Sequence, residues 1–111
     1  MKRLAAAGLF LALSCLGAAA QSGHPSVGYQ QITSLASATN LIVPTATGGA
    51  VWALICVETA NVRWRDDGTA PTASVGQPVS AGQCFQYAGP LPSIQFIAQS
   101  GSPVVNVSYY R

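Results

Sequence analysis

Hydrophobic and polar residues alternate with a period of two along most of the chain after residue 27. Because successive side chains of a β-strand point to opposite faces, this alternation predicts strands rather than helices. Turn-forming residues such as glycine, proline, asparagine and aspartate interrupt it at short intervals. About eight short strands at this spacing are typical of a sandwich or jelly roll, so we expect an all-β fold, a small antiparallel β-sandwich with a jelly-roll-like arrangement. The predicted strands span residues 28–35, 41–43, 50–57, 61–65, 75–79, 83–87, 94–99 and 104–110.

The run at residues 50–57 is the most apolar segment after the N-terminal region. It is apolar on both faces of a strand, as expected for a central strand that is covered on both sides or by a partner chain. A buried helix is the alternative, but the short length, the β-branched residues and the nearby glycines favour a strand. A short turn follows at residues 58–60, so residues 50–65 are predicted to form a β-hairpin.

The segment at residues 61–72 contains most of the charge of the chain beyond the N-terminus. As a strand it would point Val62 and Trp64 to one face and Arg63 and Arg65 to the other. We expect Trp64 to lie in the core, because alternation alone accounts for its position between two solvated arginines. An Asp-Asp-Gly sequence then ends the strand in a turn. The predicted contact residues are Arg63, Arg65, Asp66, Asp67 and Thr69.

The N-terminus has the three parts of a secretory signal peptide. A basic start is followed by an apolar stretch and by small residues, which predicts a helical leader at residues 1–20 and cleavage between Ala20 and Gln21. The apolar stretch is short for a membrane span, so no membrane attachment is expected after cleavage. A hydrophobic helix that stays attached is the alternative, and lipidation at Cys15 fits the sequence less well. Residues 21–27 are then an exposed lead-in, and residues 28–111 form a single β-sandwich domain.

The charge balance excludes several classes of partner. The formal net charge of +2 comes from Lys2 and Arg3, so the chain after the leader has no net charge and no lysine. A nucleic-acid-binding protein needs a basic patch, and this chain has none, so no nucleic-acid partner is expected. A neutral surface also gives little electrostatic protection against self-association, which favours a homo-oligomer or a large partner.

Two cysteines, Cys56 and Cys84, follow the leader. An even number of cysteines in an exported protein favours a disulfide. The alternative is a pair of separate buried thiols that behave as small apolar side chains.

The chain has few residues that could carry out catalysis. His24 is the only histidine and is interpreted as an exposed loop residue, because metal sites and catalytic bases need further partners. Asp66 and Asp67 are adjacent, which suits a turn better than the acid and base of glycoside hydrolysis. No Gly-x-Ser-x-Gly elbow is present. We therefore expect a non-enzymatic protein without catalytic residues, metal or cofactor.

The segment 61–72 (Asn-Val-Arg-Trp-Arg-Asp-Asp-Gly-Thr-Ala-Pro-Thr) resembles a segment of small structural proteins of tailed bacteriophages. Residues 94–97 (Ile-Gln-Phe-Ile) and 106–111 (Asn-Val-Ser-Tyr-Tyr-Arg) are similar to the same group, so the resemblance spans most of residues 50–111. It implies a compact β fold in the head or tail of a virion, contact with other virion proteins, and a trimer as the first expectation for the homo-oligomer. A leader departs from this pattern, because virion proteins assemble in the cytosol. A prophage-derived gene recruited for export would combine the two; a misassigned start codon is the alternative, although the chain has no internal methionine.

Three functional hypotheses follow from the residues and the resemblance. The first is a non-enzymatic phage-type structural protein of the virion, as a capsid decoration, a head fibre or a tail-associated protein. The second is a secreted or periplasmic β-sandwich module that binds a glycan or a protein through the loop at residues 66–72. The third, a small secreted hydrolase, is the weakest because acid, base and nucleophile are so scarce.

Overall fold

The structure, a computed structural model, describes residues 24–111 as eight β-strands and one short 3₁₀ turn. The predicted leader at 1–20 and its cleavage site lie outside the described residues, as do residues 21–23 of the predicted lead-in. The end of that lead-in belongs to the sandwich, because the first strand begins at Ser26. No helix between residues 24 and 111 is long and apolar enough to cross a bilayer. The strands are β1 (Ser26–Ile32), β2 (Thr39–Asn40), β3 (Trp52–Glu58), β4 (Val62–Arg65), β5 (Gln77–Val79), β6 (Cys84–Tyr87), β7 (Gln95–Ala98) and β8 (Val104–Tyr110), and the 3₁₀ turn is Ala46–Gly48.

The strands form two four-stranded antiparallel sheets that pack as a sandwich. Sheet A has the order β1-β8-β3-β6, and sheet B has the order β2-β7-β4-β5. The first strand therefore pairs with the last, the second with the seventh, the third with the sixth and the fourth with the fifth. This nested pairing over two sheets is the arrangement of a jelly roll, and it confirms the predicted fold class.

Alternation along the strands determines which residues enter the core. In β3 and β8 every second residue is buried, and most of the residues between them are only half-buried. Sheet B contributes Val62 and Phe96 from the opposite side, both with no exposed surface. Apolar side chains from the inner faces of both sheets thus form one core. Its buried members are Ile32, Leu35, Leu41, Ala53, Ile55, Val57, Val62, Val79, Tyr87, Leu91, Ile94, Phe96, Val105, Val107 and Tyr109.

The predicted hairpin at residues 50–65 is wrong, because β3 and β4 lie in different sheets. β3 already has a partner at each edge, β6 on one side and β8 on the other. The backbone N–H and C=O of Val57 also bond to the turn before β6, which leaves no edge of β3 for β4. The chain turns at Thr59, whose φ of 78° is left-handed, and enters sheet B at Val62. A short turn between two strands therefore serves here as a crossing between sheets.

The strand predicted at residues 41–43 is also displaced. The structure instead has β2 at Thr39–Asn40, directly before the predicted strand. Ile42 is 77% exposed, and its backbone N–H donates to the side-chain oxygen of Gln30 at 3.0 Å rather than to a backbone carbonyl of a neighbouring strand. Three consecutive apolar residues therefore predicted a strand where Leu41 is buried in the core and Val43 packs against it without strand pairing.

The predicted disulfide between Cys56 and Cys84 is confirmed. The two cysteines are directly opposite each other on β3 and β6, with their Cα atoms 4.0 Å apart. They lie on the outer face of sheet A, since Ile55 and Tyr87 on the same strands face the core. The bond ties the edge strand β6 to the centre of the sheet. It is consistent with an oxidising location outside the cytoplasm.

We expect reduction of the Cys56–Cys84 bond to lower the free energy of unfolding by about 3 kcal/mol, because the unfolded chain loses the constraint on a 28-residue loop. Urea unfolding of the wild type with and without a reductant measures the difference. The double variant Cys56→Ala/Cys84→Ala is the control, and it should unfold near the reduced wild type and ignore the reductant. Equal unfolding midpoints for the oxidised and reduced wild type would contradict this expectation.

Candidate functional site

The loop at residues 66–76 joins β4 to β5 and contains three of the five predicted contact residues. It folds back on itself, since the backbone N–H of Thr72 donates to the carbonyl of Val75 at 2.8 Å. The backbone N–H of Val75 in turn donates to the hydroxyl oxygen of Thr72 at 3.0 Å. Within the loop, Pro71 is buried. The loop is therefore an ordered surface feature with its own hydrogen bonds.

Arg63 holds this loop against β4. Its Nε donates to the carbonyl of Ala73 at 3.0 Å, and its Nη1 donates to the carbonyl of Gly76 at 2.9 Å. Gly76 has a φ of 144°, and a Cβ there would lie 3.1 Å from the Arg63 Cβ. Only glycine fits such a close approach in that conformation. Arg63 therefore uses two of its donors within the chain and has fewer left for a partner.

Arg65 and Asp67 form a surface ion pair at the start of the loop. The Arg65 guanidinium donates to both carboxylate oxygens of Asp67, at 3.0 and 2.5 Å. These hydrogen bonds lower the pKa of the Asp67 carboxyl and raise the pKa of Arg65. Asp67 also accepts a bond from the backbone N–H of Thr69 at 3.4 Å. The pair is solvent-exposed, so it shapes the loop and presents charge rather than adding much stability.

Asp66 links the loop to the core. The Tyr87 hydroxyl donates to the Asp66 carboxylate at 2.7 Å. Burial raises the pKa of the Tyr87 hydroxyl, and the hydrogen bond to Asp66 raises it further. A Cβ at Gly89 would lie only 2.5 Å from the Tyr87 hydroxyl oxygen, so the absence of a side chain there gives the ring its room.

Trp64 packs against the core as expected, but it is only half-buried. Its ring stacks on Phe85 with a centroid distance of 5.8 Å and meets Tyr87 edge-on at 5.8 Å. The exposed part of the ring borders two adjoining open clefts. One, of about 480 Å³, is lined by Trp64, Arg65, Asp66, Asp67, Val75, Gly76 and Gln77. The other, of about 490 Å³, is lined by Trp64, Gln77, Pro78, Val79, Gln83, Cys84 and Phe85.

The structure thus gathers three predicted contact residues at one cleft and gives the other two different roles. Arg65, Asp66 and Asp67 border the cleft beside Trp64, whereas Arg63 braces the loop. Thr69 is exposed and bonds to Asp67 only through its backbone N–H. Within residues 24–111, no group of three or more histidine, cysteine or acidic residues could hold a metal ion. The cleft beside Trp64 can therefore provide hydrogen bonds, charged groups and one aromatic surface to a partner.

A further aromatic cleft lies on the outer face of sheet A, and none of the residues that line it was a predicted contact residue. Trp52 stacks on Tyr110 with a centroid distance of 4.3 Å and an interplanar angle of 15°. His24 meets the Trp52 ring edge-on at 6.3 Å. The cleft, of about 510 Å³, is lined by His24, Trp52, Gln86, Tyr87 and Ala88. The one available signal was the alternation of β3, which places a tryptophan on the outward side of a strand.

Comparison with known proteins adds no relative: no family model, curated protein or solved structure matches this chain. The function must therefore be inferred from the residues and the fold of the chain itself.

We expect Arg63→Ala to loosen the loop at 66–76, because two loop carbonyls lose their guanidinium donor. Hydrogen exchange of the backbone amides of Thr72 and Val75 should become roughly 5- to 10-fold faster, as the loss of about 1 kcal/mol of local stability implies. Arg65→Ala is the matched control, since Arg65 bonds only to the side chain of Asp67. Equal exchange in the two variants would show that Arg63 has no special role in the loop.

Alkaline pH should destabilise the fold, because folding raises the pKa of Tyr87 and raises that of Tyr109 to about 12. A raised folded-state pKa gives stability that is complete below the unfolded value of about 10 and is lost above it. The variant Tyr87→Phe should lose about 1.5 kcal/mol of unfolding free energy at neutral pH, because the hydrogen bond to Asp66 is gone. Its unfolding free energy should also fall less steeply than that of the wild type between about pH 10 and 12. Urea unfolding at several pH values measures both effects. If the unfolding free energy of Tyr87→Phe fell with pH as steeply as that of the wild type, the raised pKa of Tyr87 would not be the cause of the alkaline destabilisation.

Proposed function

We propose that this chain is a non-enzymatic structural protein of a phage-type virion, exposed on the head or tail. The observation that carries the proposal is the nested strand pairing of the two sheets. Viral capsid domains and lectins are among the proteins built on jelly rolls. Because a fold alone does not determine a function, this support is an analogy, to which the resemblance of residues 61–72, 94–97 and 106–111 to phage structural proteins adds.

The surface of the domain also favours assembly with other subunits. Tyr29, Ile42, Val51 and Val75 are large apolar residues that are 51–77% exposed. Tyr29 lies on the edge strand β1, and the Ile42 backbone bonds to Gln30 on the same strand. The absence of net charge after the leader leaves this edge with little electrostatic protection. We therefore propose that subunits contact one another at the β1 edge, with a trimer as the first expectation.

The disulfide favours a second candidate, an exported module that binds a glycan or a protein. A bond on the outer face of sheet A persists in an oxidising compartment and would suit a periplasmic or secreted domain. The bond does not argue against the virion proposal, because a particle that has left the cell is also in an oxidising environment. The two candidates therefore differ in where the chain is found and in whether it needs a particle.

Particles induced from the strain that carries the gene, purified by density gradient, provide the test. We expect the chain in the particle band by mass spectrometry, in a fixed ratio to the major capsid protein. Ile42→Asp should reduce its incorporation, because a charge would replace an exposed apolar contact. Ser100→Asp, at an exposed polar position, is the control and should be incorporated normally. Recovery of the chain from the periplasm or medium, with none in the particles, would overturn the virion proposal in favour of the exported module.

A further inference from the structure

The indole ring of Trp52 has one occupied face and one open face. Tyr110 covers the first, with the two rings nearly parallel and their centroids 4.3 Å apart. The cleft of about 510 Å³ that Trp52 borders is lined by Gln86 and not by Tyr110, and β6 and β8 flank β3 on opposite sides, so this cleft lies to the other side of the indole. The His24 ring stands perpendicular to the indole, with the two centroids 6.3 Å apart, and it also lines the cleft.

The register of sheet A explains why the cleft exists. Trp52 on β3 is directly opposite Tyr110 on β8. Ala53 on β3 is opposite Tyr87 on β6, so the next step of the same antiparallel register brings Trp52 opposite Ala88. One lateral neighbour of the indole is therefore a large aromatic ring and the other is a methyl group. The difference in size leaves an empty slot against the second face of the ring.

The polar groups at this slot differ from those on the rest of the outer face. Elsewhere on sheet A, Asn106 accepts hydrogen bonds from Tyr29 and Gln31 and donates one to Glu58, at 2.6 to 3.0 Å. The side chain of Gln86 points to the same face but bonds to no other residue between 24 and 111. His24 likewise makes only its ring contact with Trp52. An amide and an imidazole thus border the open aromatic face with their hydrogen-bonding capacity unused within the described chain.

We propose that this slot binds a single neutral pyranose ring, as the terminal sugar of a glycan. One face of a pyranose presents C–H groups with partial positive charge, which suit the electron-rich face of an indole. Its rim presents hydroxyl groups, which can both donate to and accept from the Gln86 amide and the His24 imidazole. The lining contains no carboxylate, lysine or arginine, so it offers nothing specific to a charged sugar. The volume lies within the range of about 300–1,000 Å³ that is usual for small-ligand sites.

The same geometry argues against a proline-rich peptide. Such peptides adopt an extended helix and lie across several aromatic rings that line one groove. Here Tyr110 is stacked behind Trp52 and lies outside the slot, and Tyr87, although it lines the slot, is buried with its hydroxyl bonded to Asp66. A single open ring face suits one cyclic unit rather than an extended chain.

The inference goes beyond the virion proposal and does not depend on it. A sugar-binding slot would attach a particle to a host glycan, and it would serve an exported binding module equally well. The test below uses only the isolated protein. Failure of sugar binding would leave incorporation into particles unaffected, and failure of incorporation would leave sugar binding unaffected.

The experiment follows the two indole N–H signals of ¹⁵N-labelled protein, produced by export of the full-length gene product. The probes are the methyl glycosides of glucose, galactose, mannose and N-acetylglucosamine. We expect at least one probe to shift the Trp52 signal saturably, with a Kd on the order of 1 mM for a single-sugar site, and to leave Trp64 unshifted. The absence of a saturable Trp52 shift with all four sugars would overturn the proposal. If only a proline-rich peptide shifted the Trp52 signal, the slot would be a peptide-binding site and the sugar proposal would be wrong as well.

Variants then locate the binding within the slot. Trp52→Ala should abolish the sugar response, and Ala88→Leu should abolish it while the indole stays in place, because the larger side chain fills the slot. Gln86→Ala should weaken binding roughly 5- to 10-fold through one lost hydrogen bond. Trp64→Phe is the matched control and should bind like the wild type. Unchanged binding in Ala88→Leu, with a wild-type spectrum elsewhere, would show that the sugar binds at another place.

Discussion

The antiparallel pairing of β3 with β8 is the interaction on which the rest of this structure depends. Seven residue pairs join the two strands, from Trp52 opposite Tyr110 to Glu58 opposite Val104. Both strands bury every second side chain, so the pair supplies much of the core while it fills the centre of sheet A. The remaining edges accept β1 and β6, which completes the sheet. Because the first strand must then reach the last, the other strands are left to pair in the same nested order.

The same pairing positions the features that bear on function. At one end it stacks Trp52 on Tyr110 and so creates an indole with a single open face. Along the other edge of β3, which pairs with β6, Cys56 is opposite Cys84, and their disulfide holds β6 in place. The fixed β6 in turn holds Gln86 beside the aromatic cleft. Structure and candidate binding chemistry therefore share one register, in which a slip of one residue would move the tryptophan into the core.

Local patterns in the sequence predicted most of the strands, the inward position of Trp64 and the cysteine pair. These properties depend on alternation with a period of two and on residue counts, which a single chain displays directly. Sheet membership depends on partners far apart in sequence, and the chain gave no local sign of it. The turn at Thr59 looked like a hairpin turn, although β3 already had both edges filled. The two-residue strand β2 was too short to show any alternation.

The candidate site likewise has features that the sequence predicted and features that it did not. The charged segment at 61–72 was evident from composition, and its acidic turn does border a cleft. The bracing role of Arg63 was hidden, because its acceptors are carbonyls of a loop whose path the sequence does not specify. The cleft beside Trp52 was hidden for a further reason. Its parts come from the start, the middle and the end of the domain, and only the register of sheet A brings them together.

Proton–proton contacts across the strands test the central pairing most directly. In antiparallel sheets, the Cα atoms of non-hydrogen-bonded pairs approach to about 4.5 Å, which gives strong nuclear Overhauser effects between facing Hα protons. The nested arrangement predicts such contacts between β3 and β8 and between β3 and β6, and none between β3 and β4. A series of Hα contacts linking residues 50–57 to residues 61–65 would instead establish a local hairpin and contradict the jelly-roll pairing.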